Sequence, residues 1–101
     1  MLTSYKYADV STSHITVGDD EILTGLALRS IQGRYDSLIV YPTSHGYFVF
    51  ISSDLEEDKL RGLGLSDDFI SVVRLAQSEG NQFVRFDADA ETYEGLASHA
   101  W

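Results

Sequence analysis

The sequence has no cysteine. Disulfides, thiolate zinc sites, iron–sulfur clusters and a cysteine nucleophile are therefore all excluded. Basic residues are scarce: Lys+Arg number 7 against 16 Asp+Glu, for a formal net charge of −9. Lys6, Arg29, Arg34, Lys59, Arg61, Arg74 and Arg85 are scattered along the chain without a cluster. Nucleic-acid affinity rests largely on Lys and Arg neutralising phosphates, so direct DNA or RNA binding is disfavoured. The same charge balance disfavours an anionic membrane surface. Long apolar runs are also missing. The uncharged stretch between Asp36 and Asp54 is broken by Pro42 and Gly46 and does not read as a membrane span. Met1 to Lys6 has no apolar signal core, and a cytoplasmic domain is expected.

What is present is ordinary globular composition, with 44% hydrophobic and 12% aromatic residues in 101. That length allows one domain, 1–101, able to bury a core without a metal or other cofactor. Tyr5 to Val10 alternates like a strand. Thr16 is placed to cap a helix, with Asp19 three residues later as in a capping box. Ile22, Leu23, Leu26 and Ala27 recur at helical spacing, and Gly33 is a stop. Ser37 to Tyr41 and Tyr47 to Ile51 read as strands of a hairpin, turned by Pro42 to Gly46. Asp54 to Leu60 is a short helical turn or loop. Ser66 caps a second helix that runs to about Ser78, with Gly80-Asn81 closing it. Gln82 to Phe86 is the last strand, and a tail follows from about residue 88.

The order β-α-β-β-α-β matches a single α+β domain of ferredoxin-like arrangement, an antiparallel sheet with helices on one face. The alternative is another small α+β sheet with the same order of elements and different strand neighbours. The expected core is Ile22, Leu26, Val40, Phe48, Phe50, Phe69, Val73, Val84 and Phe86.

Acidic residues gather at helix starts: Asp19, Asp20 and Glu21, then Asp54, Glu56, Glu57 and Asp58, then Asp67 and Asp68. Complementing helix dipoles explains that placement by itself. The functional reading is a negative surface that imitates a phosphate backbone. Asp54, Glu56, Glu57, Asp58, Asp67 and Asp68 are its candidate binding residues, and a partner protein with a basic surface is its expected target.

A catalytic or ion-binding alternative rests on His14, Asp87 and Asp89. Alternate carboxylates after a strand can share a hard cation, and a His near Ser and Asp can serve as a base. Neither signal is specific. The Asp87 run lacks the fixed glycine of an EF-hand loop, and no GxSxG elbow occurs. In a ferredoxin-like sheet His14 and Asp87 would also lie at opposite ends. Asp87 as the cap of a turn and His14 as a loop-fixing residue are the structural expectations.

Aromatics crowd the strands: Tyr5, Tyr7, Tyr35, Tyr41, Tyr47, Phe48 and Phe50. An open sheet face bearing such rings stacks RNA bases in RRM domains, but the basic RNP1 motif is absent. At −9 the face is better suited to a protein partner or a homodimer. Leu96 and Trp101 are apolar anchors by which the tail would cover part of it.

The segments Val10 to Thr16, Gly46 to Val49, Phe86 to Ala90, Glu94 to Leu96 and Trp101 carry a resemblance. The chain resembles small uncharacterised proteins of bacterial mobile elements and prophages. The resemblance implies a bacterial cytoplasmic setting and host-interaction roles such as inhibition of a defence complex. It implies no catalytic residue. The expectation is a non-catalytic acidic binding module, an inhibitor occupying a basic nucleic-acid-binding site.

Overall fold

The computed structural model describes residues 2–34 and 38–101. Four strands and three α-helices form one α+β domain: β1 (Tyr7–Ser11), α1 (Val17–Ile31), β2 (Val40–Thr43), β3 (Gly46–Phe50), α2 (Glu57–Gly62), α3 (Asp67–Ser78) and β4 (Phe83–Asp87). A 3₁₀ turn, Thr12–His14, links β1 to α1. Ser37, the expected start of the second strand, and Tyr35 lie outside the described residues.

Local chemistry sets the helix boundaries. Thr16 Oγ1 accepts from the Asp19 N–H while the Asp19 carboxylate accepts from the Thr16 N–H, a reciprocal capping box. Gly33, at φ 76°, follows the end of α1 in the left-handed conformation that glycine adopts freely. Ser66 Oγ accepts from the Phe69 N–H and starts α3. The acidic turn is itself a short helix, α2, in which Glu56 at the N-cap makes no side-chain capping bond. Pro42 and Thr43 belong to β2, so the hairpin turn is tighter than the sequence suggests. Gly46 opens β3 where a Cβ would collide with the Phe86 carbonyl.

The sheet is mixed, and its order is β1-β4-β3-β2. This corrects the ferredoxin-like antiparallel expectation. β4 lies between β1 and β3, parallel to β1 and antiparallel to β3. Burial explains the choice of neighbour. On the core face β4 inserts the fully buried Val84 and Phe86, where their partners on β1 are the smaller Ala8, half-buried, and Val10. The more apolar strand takes the inner position and the more polar one the edge.

One hydrophobic core joins sheet and helices. Val10, Val40, Val49, Val84 and Phe86 pack against Leu23 and Leu26 of α1, Leu60 of α2 and Phe69, Val72, Val73 and Ala76 of α3. The Phe69 and Phe86 rings stack with centroids 5.5 Å apart. All three helices thus cover the same face. Phe48 and Phe50, expected in the core, alternate with Val49 and point to the opposite face.

Ser66 does more than cap α3. Its Oγ also donates to Asp19 Oδ2 at 2.6 Å. Ser66→Ala is therefore expected to cost about 1–2 kcal/mol, the upper part of the N-cap range, in urea unfolding monitored by circular dichroism. A change within error would mean that the start of α3 is held by other contacts.

Candidate protein-docking face

Strand alternation puts Tyr7 and Asp9 of β1, Tyr41 of β2, Phe48 and Phe50 of β3, and Phe83, Arg85 and Asp87 of β4 on the face away from the helices. The rings form a continuous floor. Phe83 lies 4.8 Å from Phe48 and 5.2 Å from Phe50 between centroids, and Tyr7 lies 5.4 Å from Phe48. Tyr5, just before β1, adds an edge-on contact to Phe83 at 6.0 Å. The phenylalanines shield one another to intermediate burial, while Tyr5, Tyr7 and Tyr41 are exposed.

Charge borders this floor. Arg85 holds Asp9, its register partner across β1 and β4, through two hydrogen bonds of 2.9 Å. Its guanidinium also lies 5.5 Å from the Tyr7 ring centroid, within cation–π range. The hydrogen bonds from Arg85 hold the Asp9 carboxyl below the usual carboxylate range, outweighing partial burial, and the attraction between the charges adds to them. Asp9 in return pushes Arg85 upward.

The acidic candidates divide into two groups. Glu57 bonds both Arg61 and Arg74, Asp67 bonds Arg61, and Asp68 bonds His99 at 2.7 Å. Glu57 and Asp67 are thus paired with arginines within the molecule, and Asp68 is engaged by the His99 ring. Asp54, Glu56 and Asp58 are exposed and make no side-chain hydrogen bond or ion pair with the described residues. Asp19 belongs to neither group, because it is buried. Besides the Thr16 N–H, its carboxylate accepts from the Ser66 N–H at 2.8 Å and the Ser66 hydroxyl. It ties the starts of α1 and α3 together, so those starts are neighbours and do not lie at opposite ends. The sequence shows Asp19 as the capping-box residue of α1 but not its bonds to Ser66, which lies far along the chain.

The parallel pairing of β1 and β4 puts Ser11 opposite Asp87, so His14 and Asp87 lie toward the same end of the sheet. This reverses the opposite-ends expectation. Their chemistry is nevertheless not joined. His14 is buried, its Nε2 accepts from the Tyr93 N–H at 2.9 Å, and its Nδ1 lies 2.7 Å from the Ala97 carbonyl. Accepting at Nε2 requires the Nδ1–H tautomer, which donates to that carbonyl. Both ring nitrogens are spent on the tail. Asp87 Oδ1 accepts from the Asp89 N–H and closes the turn after β4. Among the described residues, no group of three or more His, Asp or Glu is arranged to hold a metal ion.

The tail leaves the aromatic floor open and crosses instead toward the helix starts. The Tyr93 hydroxyl donates to the Asp9 carbonyl, the His99 N–H to the Ser13 carbonyl, and the Trp101 indole to the Ile15 carbonyl. Leu96 packs on the core. No described helix is long and apolar enough to cross a membrane.

Fold and face together define a small α+β domain with an open aromatic sheet face and no assembled catalytic group among its candidates. Residues 7–101 match the C-terminal domain of DUF5983, and the chain belongs to that family of unknown function. No curated protein and no solved structure matches it.

Proposed function

We propose that this domain is a non-catalytic module that binds a partner protein by a basic surface of that partner, with the open sheet face as the docking site. The chemistry of that face carries the reading. It sets an aromatic floor on a chain of net charge −9. Guanidinium and ammonium groups are attracted to both ring faces and carboxylates. Arg85, bonded to Asp9 and placed over Tyr7, is an intramolecular example. The exposed Asp54, Glu56 and Asp58 add a long-range field that steers a cationic partner. A protein surface that ordinarily binds nucleic acid has the required charge, and the domain would inhibit it by occupying that surface. A host defence complex, met in the setting of a bacterial mobile element or prophage, is the target to which the sequence resemblance points.

The alternative of a small enzyme or ion-binding protein finds no support in the arrangement of His14, Asp87 and Asp89. The ring of His14 is already bonded at both nitrogens.

The test begins with affinity capture and mass spectrometry to identify the partner, followed by binding kinetics. Tyr7→Ser combined with Phe48→Ser is expected to weaken binding by about 100-fold, mainly through faster dissociation. Glu56→Lys combined with Asp58→Lys is expected to slow association and reduce its salt dependence, with little change in dissociation. That pair is preferable to any change at Glu57, which holds Arg61 and Arg74. Undiminished binding by the Tyr7 and Phe48 variant would rule out the sheet face as the docking site.

A further inference from the structure

The two edges of the sheet are not equivalent. On β2, Tyr41 pairs with Phe48 and the Ile39 carbonyl accepts from the Phe50 N–H, so Pro42 falls at a position facing outward. Lacking an N–H, Pro42 blunts that edge. β1 contains no proline. The Lys6 carbonyl accepts from the Phe83 N–H on the inner side, and the Asp9 carbonyl accepts from Tyr93 on the outer side. Strand alternation then turns the Tyr7 N–H and C=O and the Asp9 N–H outward.

Beside that edge lies a groove of about 330 Å³ between β1 and α3. Ala8 and Val10 form one wall, Val72 and Leu75 the other. Asn81, also in the lining, is buried, and its Nδ2 donates to the Ala76 carbonyl at 3.1 Å. That bond fixes the orientation of the amide. Its Oδ1 has no hydrogen-bond partner among the described residues. A buried acceptor left unpaired is costly, and a donor from outside would relieve the cost.

We propose that the β1 edge and this groove receive an extended peptide segment of a partner protein, which adds as a fifth strand. Main-chain hydrogen bonds to Tyr7 and Asp9 supply the pairing, as in β-strand addition generally. An apolar side chain on the core-facing side of the added strand enters between Val10 and Leu75. The flanking residues of the peptide are basic. Glu79 lines the groove beside Lys6, whose ammonium is spent on the Glu79 carbonyl; Glu91 and Glu94 flank Tyr93 in the tail, and the chain carries −9. The same charge disfavours a second copy of this chain as the added strand. This site is the sheet edge and stands independently of docking on the aromatic face.

The probe is a pool of decapeptides alternating Lys or Arg with Val, Ile, Leu or Phe. A matched pool carries N-methyl groups on alternate backbone nitrogens, in both registers, which removes strand pairing and leaves the charge nearly unchanged. Binding to the intact chain is followed by amide NMR. The unmethylated pool is expected to shift the amides of Tyr7 to Ser11 and Asn81, and to bind at least about tenfold more tightly than the methylated pool. Leu75→Gln, at an exposed helix position, is expected to weaken the unmethylated pool by a similar factor with the fold retained. Phe48→Ser, on β3 and two strands from this edge, leaves the backbone edge and the groove in place and is expected to bind the pool within about threefold of the parent. Equal binding of the two pools, shifts centred on Phe48 and Phe50, or no binding at millimolar peptide would each overturn the proposal.

Discussion

Asp19→Ala is expected to lower the unfolding free energy by about 3–4 kcal/mol, the largest single loss expected from any carboxylate of the chain. The carboxylate is buried and accepts from the Thr16 N–H, the Ser66 N–H and the Ser66 hydroxyl. Alanine would strand those donors at the meeting point of two helix starts, where both dipoles also favour a negative charge. Asp19→Asn keeps one acceptor oxygen and presents an NH₂ to a donor, so about half of the loss is expected. Urea unfolding at neutral pH measures both. If each variant lost less than about 1 kcal/mol, the junction of α1 and α3 would have to be held by apolar packing alone.

His14→Ala is expected to cost about 2–4 kcal/mol and to release the tail. The ring fills a buried site and bonds the Tyr93 N–H and Ala97 carbonyl, both distant in sequence. Its loss leaves a cavity and two backbone groups without partners. The bonds from His99 to Ser13 and from Trp101 to Ile15 are then expected to open as well, because His14 anchors the segment that leads to them. Chymotrypsin cleavage after Tyr93 should become faster by about the factor that the lost stability implies. Trp101, the only tryptophan, should show a shift to longer emission wavelength. Unchanged proteolysis and stability would mean that Leu96 and Trp101 suffice to hold the tail.

Much of the local structure is legible in the chain. The capping box at Thr16 and Asp19, the cap at Ser66 and the glycine after α1 are short-range devices whose partners lie within a few residues. They work the same way whatever surrounds them, so the sequence reveals them directly. The alternation of β4 likewise places Val84 and Phe86 together on one face. Phe48 and Phe50 differ from their expected place in the core because apolar residues on both faces of β3 do not say which face the helices will cover.

The candidate face is only partly legible. Aromatic residues on predicted strands suggest an open face, but its composition depends on register. Register brings Asp9 opposite Arg85 and sets Phe83 between Phe48 and Phe50. The acidic surface looks uniform along the chain, yet folding divides it. Glu57 and Asp67 meet arginines, Asp68 bonds the His99 ring, and Asp19 is withdrawn into the interior. Most of these distinctions depend on contacts remote in sequence.

The sequence by itself determined a single acidic α+β domain, the order of its four strands and two longer helices, and the caps that start those two helices. Its charge of −9 also weighs against direct nucleic-acid binding. Only the tertiary structure decided that β4 lies between β1 and β3, that β1 is an edge strand, that His14 is a clasp for the tail and that Asp19 joins two helices. Propensity, capping and charge act over a few residues and can be read along the chain. Strand neighbours and buried polar partners are settled by which packing buries the most apolar surface while leaving the fewest polar groups unpaired, a property of the whole fold.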